Sequence, residues 1–411
     1  MQRWLGQLRD DLDRIEADDL LRVLRSVEPR GRSVVVHGRE LVNLASNDYL
    51  GLSSHPHLRR AATEAIAACG TGSGASRLVA GHHRIHDRVE CRFAAFKHAE
   101  AALLLPTGYM ANLAVLTALA GKGDLICIDK LSHASLLDAA HASGAQVRAF
   151  GHLNHDKLER LLQRHADLHT DARRFVVTDT VFSMDGDTAD LPTLCGVAER
   201  YEAIVIVDEA HGTGVLGDSG SGLCEQQHVV DRVPVVVSTA GKALGGLGGI
   251  VTGPRVVIDT LINRARSFIF TTAVPPAQAA AIDAALDVIR DEPQRRRRVI
   301  DLANRVRREL RAIGWLMNDP HRNTVTTPIV PIITGTASDA LRLSEYLRNH
   351  GLFVPAIRPP TVAPGTSRLR LSLRADLDDA DVDRLLDALR DCPQQPARQE
   401  SSGVLHTLSP G

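Results

Sequence analysis

The stretch STAGKALGGLGG, residues 238–249, places Lys242 among serine, threonine, alanine and glycine, directly after the apolar run VPVVV. A lysine without charged neighbours is either an ordinary residue that follows a strand or an amine of lowered basicity suited to Schiff-base chemistry. A phosphate-binding P-loop needs glycine six positions before the lysine and Ser or Thr after it, and Val236 and Ala243 stand there instead. A second reactive pattern is VDEAHG, in which Asp208 closes the run AIVIV and His211 follows three residues later. A carboxylate there either caps a helix or pairs with a cation such as the protonated nitrogen of a pyridoxal ring. An ion pair at about 4 Å and an effective dielectric near 20 is worth about 4 kcal/mol, enough to keep such a ring protonated at neutral pH.

Other candidates lie after other apolar runs. PTGYMAN puts Gly108 and Tyr109 at the start of a helix, where free N–H groups and the positive dipole end either simply begin the helix or bind phosphate, with Thr239 able to add a hydroxyl. His133 in LSHAS is a satisfied core histidine or an imidazole stacked on a flat ring. Ser183 in FSMDGD and His211 are candidates for hydrogen bonds to a ring oxygen, or for capping turns. GTGSGAS (70–76) superficially fits a dinucleotide fingerprint, but helix-like AATEAIAAC precedes it where a strand is required. His82, His83 and His86 lack acidic or cysteine partners at ligand spacing, so no metal is expected. Arg295 to Arg298 read as a solvated helix face.

These residues require a scaffold that brings strand ends together. AALLL (101–105), LICI (125–128), FVV (175–177), AIVIV (203–207), VPVVV (233–237) and GIVT (249–252) alternate with helix-like segments. That pattern predicts an α/β fold with a mostly parallel sheet covered on both faces, whose ligands sit beyond the carboxyl ends of the strands. The expected organisation is an N-terminal helix and arm (1–55), a large α/β domain (56–290), a smaller C-terminal α+β domain (291–391) and a disordered tail (392–411). With 411 residues, 44% hydrophobic, the chain is long enough for a substantial core. A formal net charge of −1 favours neither nucleic acid nor an acidic membrane, and no run approaches a membrane span. Six cysteines without C-x-x-C spacing suit reduced thiols in the cytoplasm.

The chain resembles the α-oxoamine synthases among the fold-type I pyridoxal-phosphate transferases. The resemblance rests on LASNDYLGL (44–52), GTGSGASRLVAG (70–81), LSHASLLDAA (131–140), VFSMDGDTADL (181–191), VDEAHGTGVLG (207–217), STAGKALGG (238–246) and FIFTTAVPPAQAAA (268–281). AIRPPTVAPGTSRLRLSLRA (356–375) is most similar to the branch that condenses L-alanine with a pimeloyl thioester in biotin biosynthesis. The glycine-using members are the alternative, and a non-catalytic subunit of the same fold is a second one. The resemblance implies pyridoxal 5'-phosphate as cofactor and a homodimer with a shared site. It implies an acyl donor carried on coenzyme A or acyl carrier protein. It makes Lys242 the Schiff-base lysine, Asp208 the partner of the ring nitrogen and His133 the stacking residue. His211 and Ser183 hold the ring's oxygen side. Gly108, Tyr109 and Thr239 bind phosphate, with Thr271 or Thr272 reaching over from the partner subunit. Asn47 and Arg368 hold the amino acid's carboxylate, and Arg22 and Thr361 contact substrate. His82 and His83 depart from the family, many members of which carry an aromatic residue after the glycine.

Overall fold

The computed structural model describes residues 1–168, 171–316 and 325–394. The expected disordered tail therefore lies largely outside the described residues. The apolar runs become strands of a seven-stranded sheet: β4 (Ala101–Leu105), β5 (Leu125–Asp129), β6 (Gln146–Phe150), β7 (Arg174–Asp179), β8 (Ala203–Asp208), β9 (Val235–Thr239) and β10 (Gly249–Gly253). Their order is β4-β10-β9-β8-β7-β5-β6, parallel from β6 to β9, with β10 antiparallel to both its neighbours. β4, β5, β7 and β10 are buried along their whole length, as expected of strands covered on both faces. One core cluster lies under the helices Gly108–Leu119 and Ala134–Ala142, and a larger one on the opposite face takes in the helices Arg84–Phe96 and Pro276–Asp291.

Two smaller sheets complete the molecule. β1 (Glu28–Arg30), β2 (Ser33–Val36) and β3 (Arg39–Asn43) form an antiparallel arm, whose last strand pairs in parallel with β12 (Leu352–Phe353). The arm is thereby tied to the C-terminal part of the chain. The third sheet is β11 (Ile329–Gly335), β14 (Ser367–Ser372) and β13 (Ala356–Ile357), in that order. The helix expected at the N-terminus spans Gln2–Ala17, but none of its residues is buried. Its apolar stripe, including Trp4 at 59% and Leu12 at 52% exposure, is not covered by this chain. Among the described residues no helix is long and apolar enough to cross a membrane.

The arginines of 295–298 do not form a simple solvated face. Arg296 is buried and donates to the backbone oxygens of Ile289 and Asp218, while Arg295 pairs with Glu292 at 2.6 Å. Their guanidinium groups satisfy helix and turn carbonyls that would otherwise be buried unpaired.

Candidate active site

The carboxyl ends of β5, β7, β8 and β9 meet at one rim. β9 runs into the Lys242 loop, which is pinned at its base: Ala240 N donates to Gly248 O at 2.8 Å and Gly246 N to Ala240 O at 2.9 Å. Gly245 adopts φ +66°, and a Cβ there would lie 2.5 Å from Ser53 N. Only glycine permits that approach, which seats the lysine loop directly against the segment Asn47–Ser53. The small residues around Lys242 are thus a packing requirement.

Lys242 Nζ lies 2.8 Å from His211 Nε2, and His211 Nδ1 lies 2.6 Å from the Tyr49 hydroxyl. Arg370 Nη2 donates to Tyr49 at 3.0 Å and to Asn47 Oδ1 at 2.8 Å. Burial pushes the lysine amine down to about 8, against the opposing pull of the Asp208 carboxylate. Burial also holds His211 well below its usual range, reinforced by the charges of Lys242 and Arg370, so the ring is neutral at pH 7.

Asp208 does cap, but it caps a turn and not a helix: Oδ1 accepts from Ala210 N at 2.8 Å. Its other oxygen accepts from Asn112 Nδ2 at 2.7 Å, and the same amide reaches Ser135 Oγ, which lies 2.7 Å from His133 Nδ1. A hydrogen-bonded line therefore joins the carboxylate to the rim histidine. The N–H of His133 donates to Asp179 Oδ2 at 2.9 Å, and Asp179 is the register partner of Asp208 on the neighbouring strand. Burial first, and then the Asp208 charge, pushes the Asp179 carboxyl well above the usual carboxylate range. The next residue after Asp208, Glu209, is buried against Lys97 Nζ at 2.6 Å and accepts from Cys224 N at 2.8 Å. This pair anchors the turn that carries Asp208 and His211.

At the start of the helix Gly108–Leu119, Thr107 caps Met110 N at 3.1 Å. A Cβ on Gly108 would meet the Thr239 side chain at 3.5 Å, so this helix end and that hydroxyl are neighbours. The Tyr109 side chain turns away to donate to Asp138, which leaves its backbone as the part at the helix end. Ser183 sits in the turn after β7, one residue from Phe182, and Thr271 lies in the segment that meets the GTGSGAS loop, where Ala273 N donates to Ala75 O at 3.0 Å.

Asn47 is met by Arg370 and not by Arg368. Arg368 does not reach it: Nη1 donates to Asp185 Oδ1 at 2.6 Å and Nε to Thr366 O at 3.0 Å. Arg370, two residues further along β14, bonds Asn47 instead, and its buried Nε has no partner among the described residues. Arg22 donates to Pro359 O at 2.9 Å beside the turn in which Thr361 N donates to Arg358 O at 3.1 Å. These two substrate candidates are brought close to each other, and among the described residues no bond joins them to the Lys242 cluster. The three histidines near residue 82 serve structure: His82 bonds Arg77 and Asp87, while His86 is buried against Val274 O at 2.8 Å. Among the described residues no group of three or more metal-ligating side chains is placed to hold an ion.

Tyr49, Asn112, Asp179, Arg370 and the Lys97–Glu209 pair were not singled out by sequence. Asn112 carried a signal, as a lone amide inside the apolar helix GYMANLAVLTAL, because a buried amide must find partners.

The donor set fits pyridoxal phosphate: an amine of lowered pKa, a carboxylate held by an amide, a rim imidazole and a helix N-terminus beside a threonine. Residues 39–389 match the family described as aminotransferase class I and II. An 8-amino-7-oxononanoate synthase of Anaeromyxobacter dehalogenans is 47% identical over 94% of this chain and 94% of its own length. Another, of Geobacter sulfurreducens, is 45% identical over 92% of this chain and 96% of its own length. A serine palmitoyltransferase from S. paucimobilis, solved with a PLP–myriocin adduct, superposes with a TM-score of 0.88 at 27% identity, covering 95% of this chain and 97% of its own. The fold and site define a fold-type I pyridoxal-phosphate transferase, with pyridoxal 5'-phosphate as its cofactor. The chain belongs to the aminotransferase class I and II family and, within it, to the 8-amino-7-oxononanoate synthases.

Proposed function

We propose that this enzyme condenses L-alanine with a pimeloyl thioester, giving 8-amino-7-oxononanoate, carbon dioxide and free thiol for biotin biosynthesis in the cytoplasm. The observation that carries the reading is the continuous chain from the Lys242 amine through His211 and Tyr49 to Arg370 and Asn47. It joins a base to a cationic seat whose guanidinium keeps one nitrogen without a partner among the described residues. Pyridoxal phosphate, when bound, supplies the electron sink for the Cα carbanion.

This chain's residues do the rest. Lys242, with its amine near pKa 8, holds the cofactor and, once released, takes the Cα proton. Asp208 keeps the ring nitrogen protonated, and Asn112 holds that carboxylate on target. His133 stacks on the ring from the rim, while His211 and Ser183 serve its oxygen side. The N–H groups of Gly108 and Tyr109, with the hydroxyl of Thr239, bind the phosphate. Thr271 of a second copy completes that pocket in a homodimer. Arg370 and Asn47 seat the alanine carboxylate, which fills the unpartnered Nε of the guanidinium. Arg22 and Thr361 border the acyl donor.

Mass spectrometry of the product from alanine plus pimeloyl thioester, on coenzyme A and on acyl carrier protein, tests the reading. 8-Amino-7-oxononanoate supports it. A product formed only from glycine, with acetyl or succinyl thioester, overturns it in favour of a glycine-using synthase.

A further inference from the structure

Asp208, Asn112, Ser135 and His133 stand in one hydrogen-bonded line whose two ends fix the direction of every bond between them. At one end Asp208 is a carboxylate, which only accepts, so the atom of Asn112 that lies 2.7 Å from its Oδ2 is the amide nitrogen. This orientation leaves Asn112 Oδ1 buried with no partner among the described residues, a cost that the bond to a charge outweighs. The second amide hydrogen goes to Ser135 Oγ at 2.8 Å. That oxygen accepts there and has its own proton left for His133 Nδ1 at 2.7 Å. At the other end the backbone N–H of Ser135 also points at Nδ1, at 3.3 Å, and a backbone N–H only donates. Two donors on one nitrogen require a bare lone pair.

A neutral imidazole with Nδ1 bare carries its proton on Nε2, and Nε2 has no protein partner among the described residues. An imidazolium has to put a second proton on Nδ1, head-on against the Ser135 N–H and with no use for the serine's own hydrogen. The line thus opposes the plain Coulomb effect of the Asp208 carboxylate, which together with Asp138 draws a proton onto this ring. Desolvation and the charge of Lys242 act with the line and hold His133 below the usual histidine range. Asp179 meets this residue through its backbone N–H and not through its ring.

We propose that Asn112 and Ser135 are positioning residues that hold His133 as the neutral tautomer with its proton on Nε2, and that Asp208 sets this tautomer through them. A carboxylate has about four acceptor sites, and Ala210 and Asn112 occupy one each, so the line survives a cofactor bound to Asp208. No atom of Lys242 enters it. The consequence rests on the function proposed above: His133 faces the protonated pyridine ring as a neutral imidazole. The same carboxylate that keeps one ring positive then keeps a second positive charge off its face.

The test uses the full-length chain labelled with ¹⁵N at histidine, both loaded with pyridoxal 5'-phosphate and freed of it. NMR reads the protonation of each ring nitrogen between about pH 6 and 8, and the signals missing from His133→Gln pick this residue out of the chain's 18 histidines. In both forms of the wild type at about pH 7, Nδ1 is expected at its bare shift and Nε2 at its protonated one. Ser135→Ala takes the hydroxyl donor away, and Asn112→Leu frees that hydroxyl to accept from Nδ1–H instead. Each is expected to raise the proton affinity of His133 at least about threefold, roughly half a pH unit in its midpoint. Asn112→Leu is also expected to populate the Nδ1–H tautomer. A wild-type ring protonated on Nδ1 at neutral pH, as the other tautomer or as imidazolium, overturns the proposal, and that arm needs no variant to fold. Two folded variants with the wild-type tautomer and midpoint also overturn it. No amino acid or thioester is present, so a wrong substrate assignment leaves this result standing, and a wrong tautomer leaves the product assay standing.

Discussion

Arg368 and Arg370 project from the same strand two residues apart, yet the first is held by Asp185 and the second by Asn47 and Tyr49. One guanidinium clasps the turn after β7, and the other faces the lysine cluster. Arg370→Ala is expected to raise the KM for alanine about a hundredfold, because two hydrogen bonds to a charged group are worth roughly 3 kcal/mol together. Arg368→Ala is expected to leave that KM within about threefold and to lower Tm, since it removes a 2.6 Å ion pair to the part-buried Asp185 and the hold on the turn after β7. Steady-state kinetics with alanine varied, beside thermal melts, separate the two. The opposite pattern returns the carboxylate to Arg368.

Lys242→Ala is expected to abolish both turnover and the visible absorbance of lysine-bound cofactor; a variant that keeps either removes the lysine from the chemistry. Its amine also costs stability. The folded value of about 8 lies below the ordinary 10.5, so folding opposes the charged form: the penalty is fully present below pH 8 and fades as pH rises towards 10.5. Lys242→Met is therefore expected to stabilise the cofactor-free chain at pH 7, by up to about 3 kcal/mol. Urea melts at several pH values check this, and a gain that grows with pH contradicts it.

Asp208 and Asn112 are expected to differ in severity. Asp208→Ala removes the charge proposed to keep the ring nitrogen protonated, at an expected cost of about 3 kcal/mol or more in the transition state, over a hundredfold in rate. Asn112→Ala removes one hydrogen bond to that charge, about 1.5 kcal/mol or roughly tenfold in kcat. Equal losses in the two variants would show that Asn112 does more than orient the carboxylate.

His152 bridges two carboxylates, Asp129 at 3.1 Å and Asp187 at 2.8 Å, and the hydrogen bonds it donates to them raise it to about 9 against burial. A raised histidine value means stability that is fully present below the ordinary 6.5 and is lost as pH climbs through 9. The shift corresponds to about 3 kcal/mol at most. Tm is expected to fall over that window in the wild type and to stay flat in His152→Gln. An unchanged slope in the variant assigns the loss to other groups.

The sheet was legible because strands buried on both faces read as unbroken apolar runs, each delivering its polar turn to the same edge. β6 escaped this reading. As the outermost strand, with Gln146, Arg148 and Ala149 exposed, it has no such run. RLRLS could not distinguish its arginines, since positions two apart share one face of a strand; only the register, Arg368 opposite Ile333 and Arg370 opposite Pro331, separates their reach. Tyr49 did leave a trace, as one phenol among the fully buried leucines 44, 50 and 52, where a hydroxyl must find company. Which company it keeps depends on chain segments far away in sequence, and local pattern carries no record of them.

The loop that bears the reactive lysine is stapled at its root, so displacing the amine frees only a four-carbon leash. A group confined to a radius of about 6 Å is present at an effective concentration on the order of molar. With the role proposed for Lys242, recapture of the cofactor would be a local, intramolecular event that outcompetes free amines in the surroundings and needs no rebuilding of the backbone.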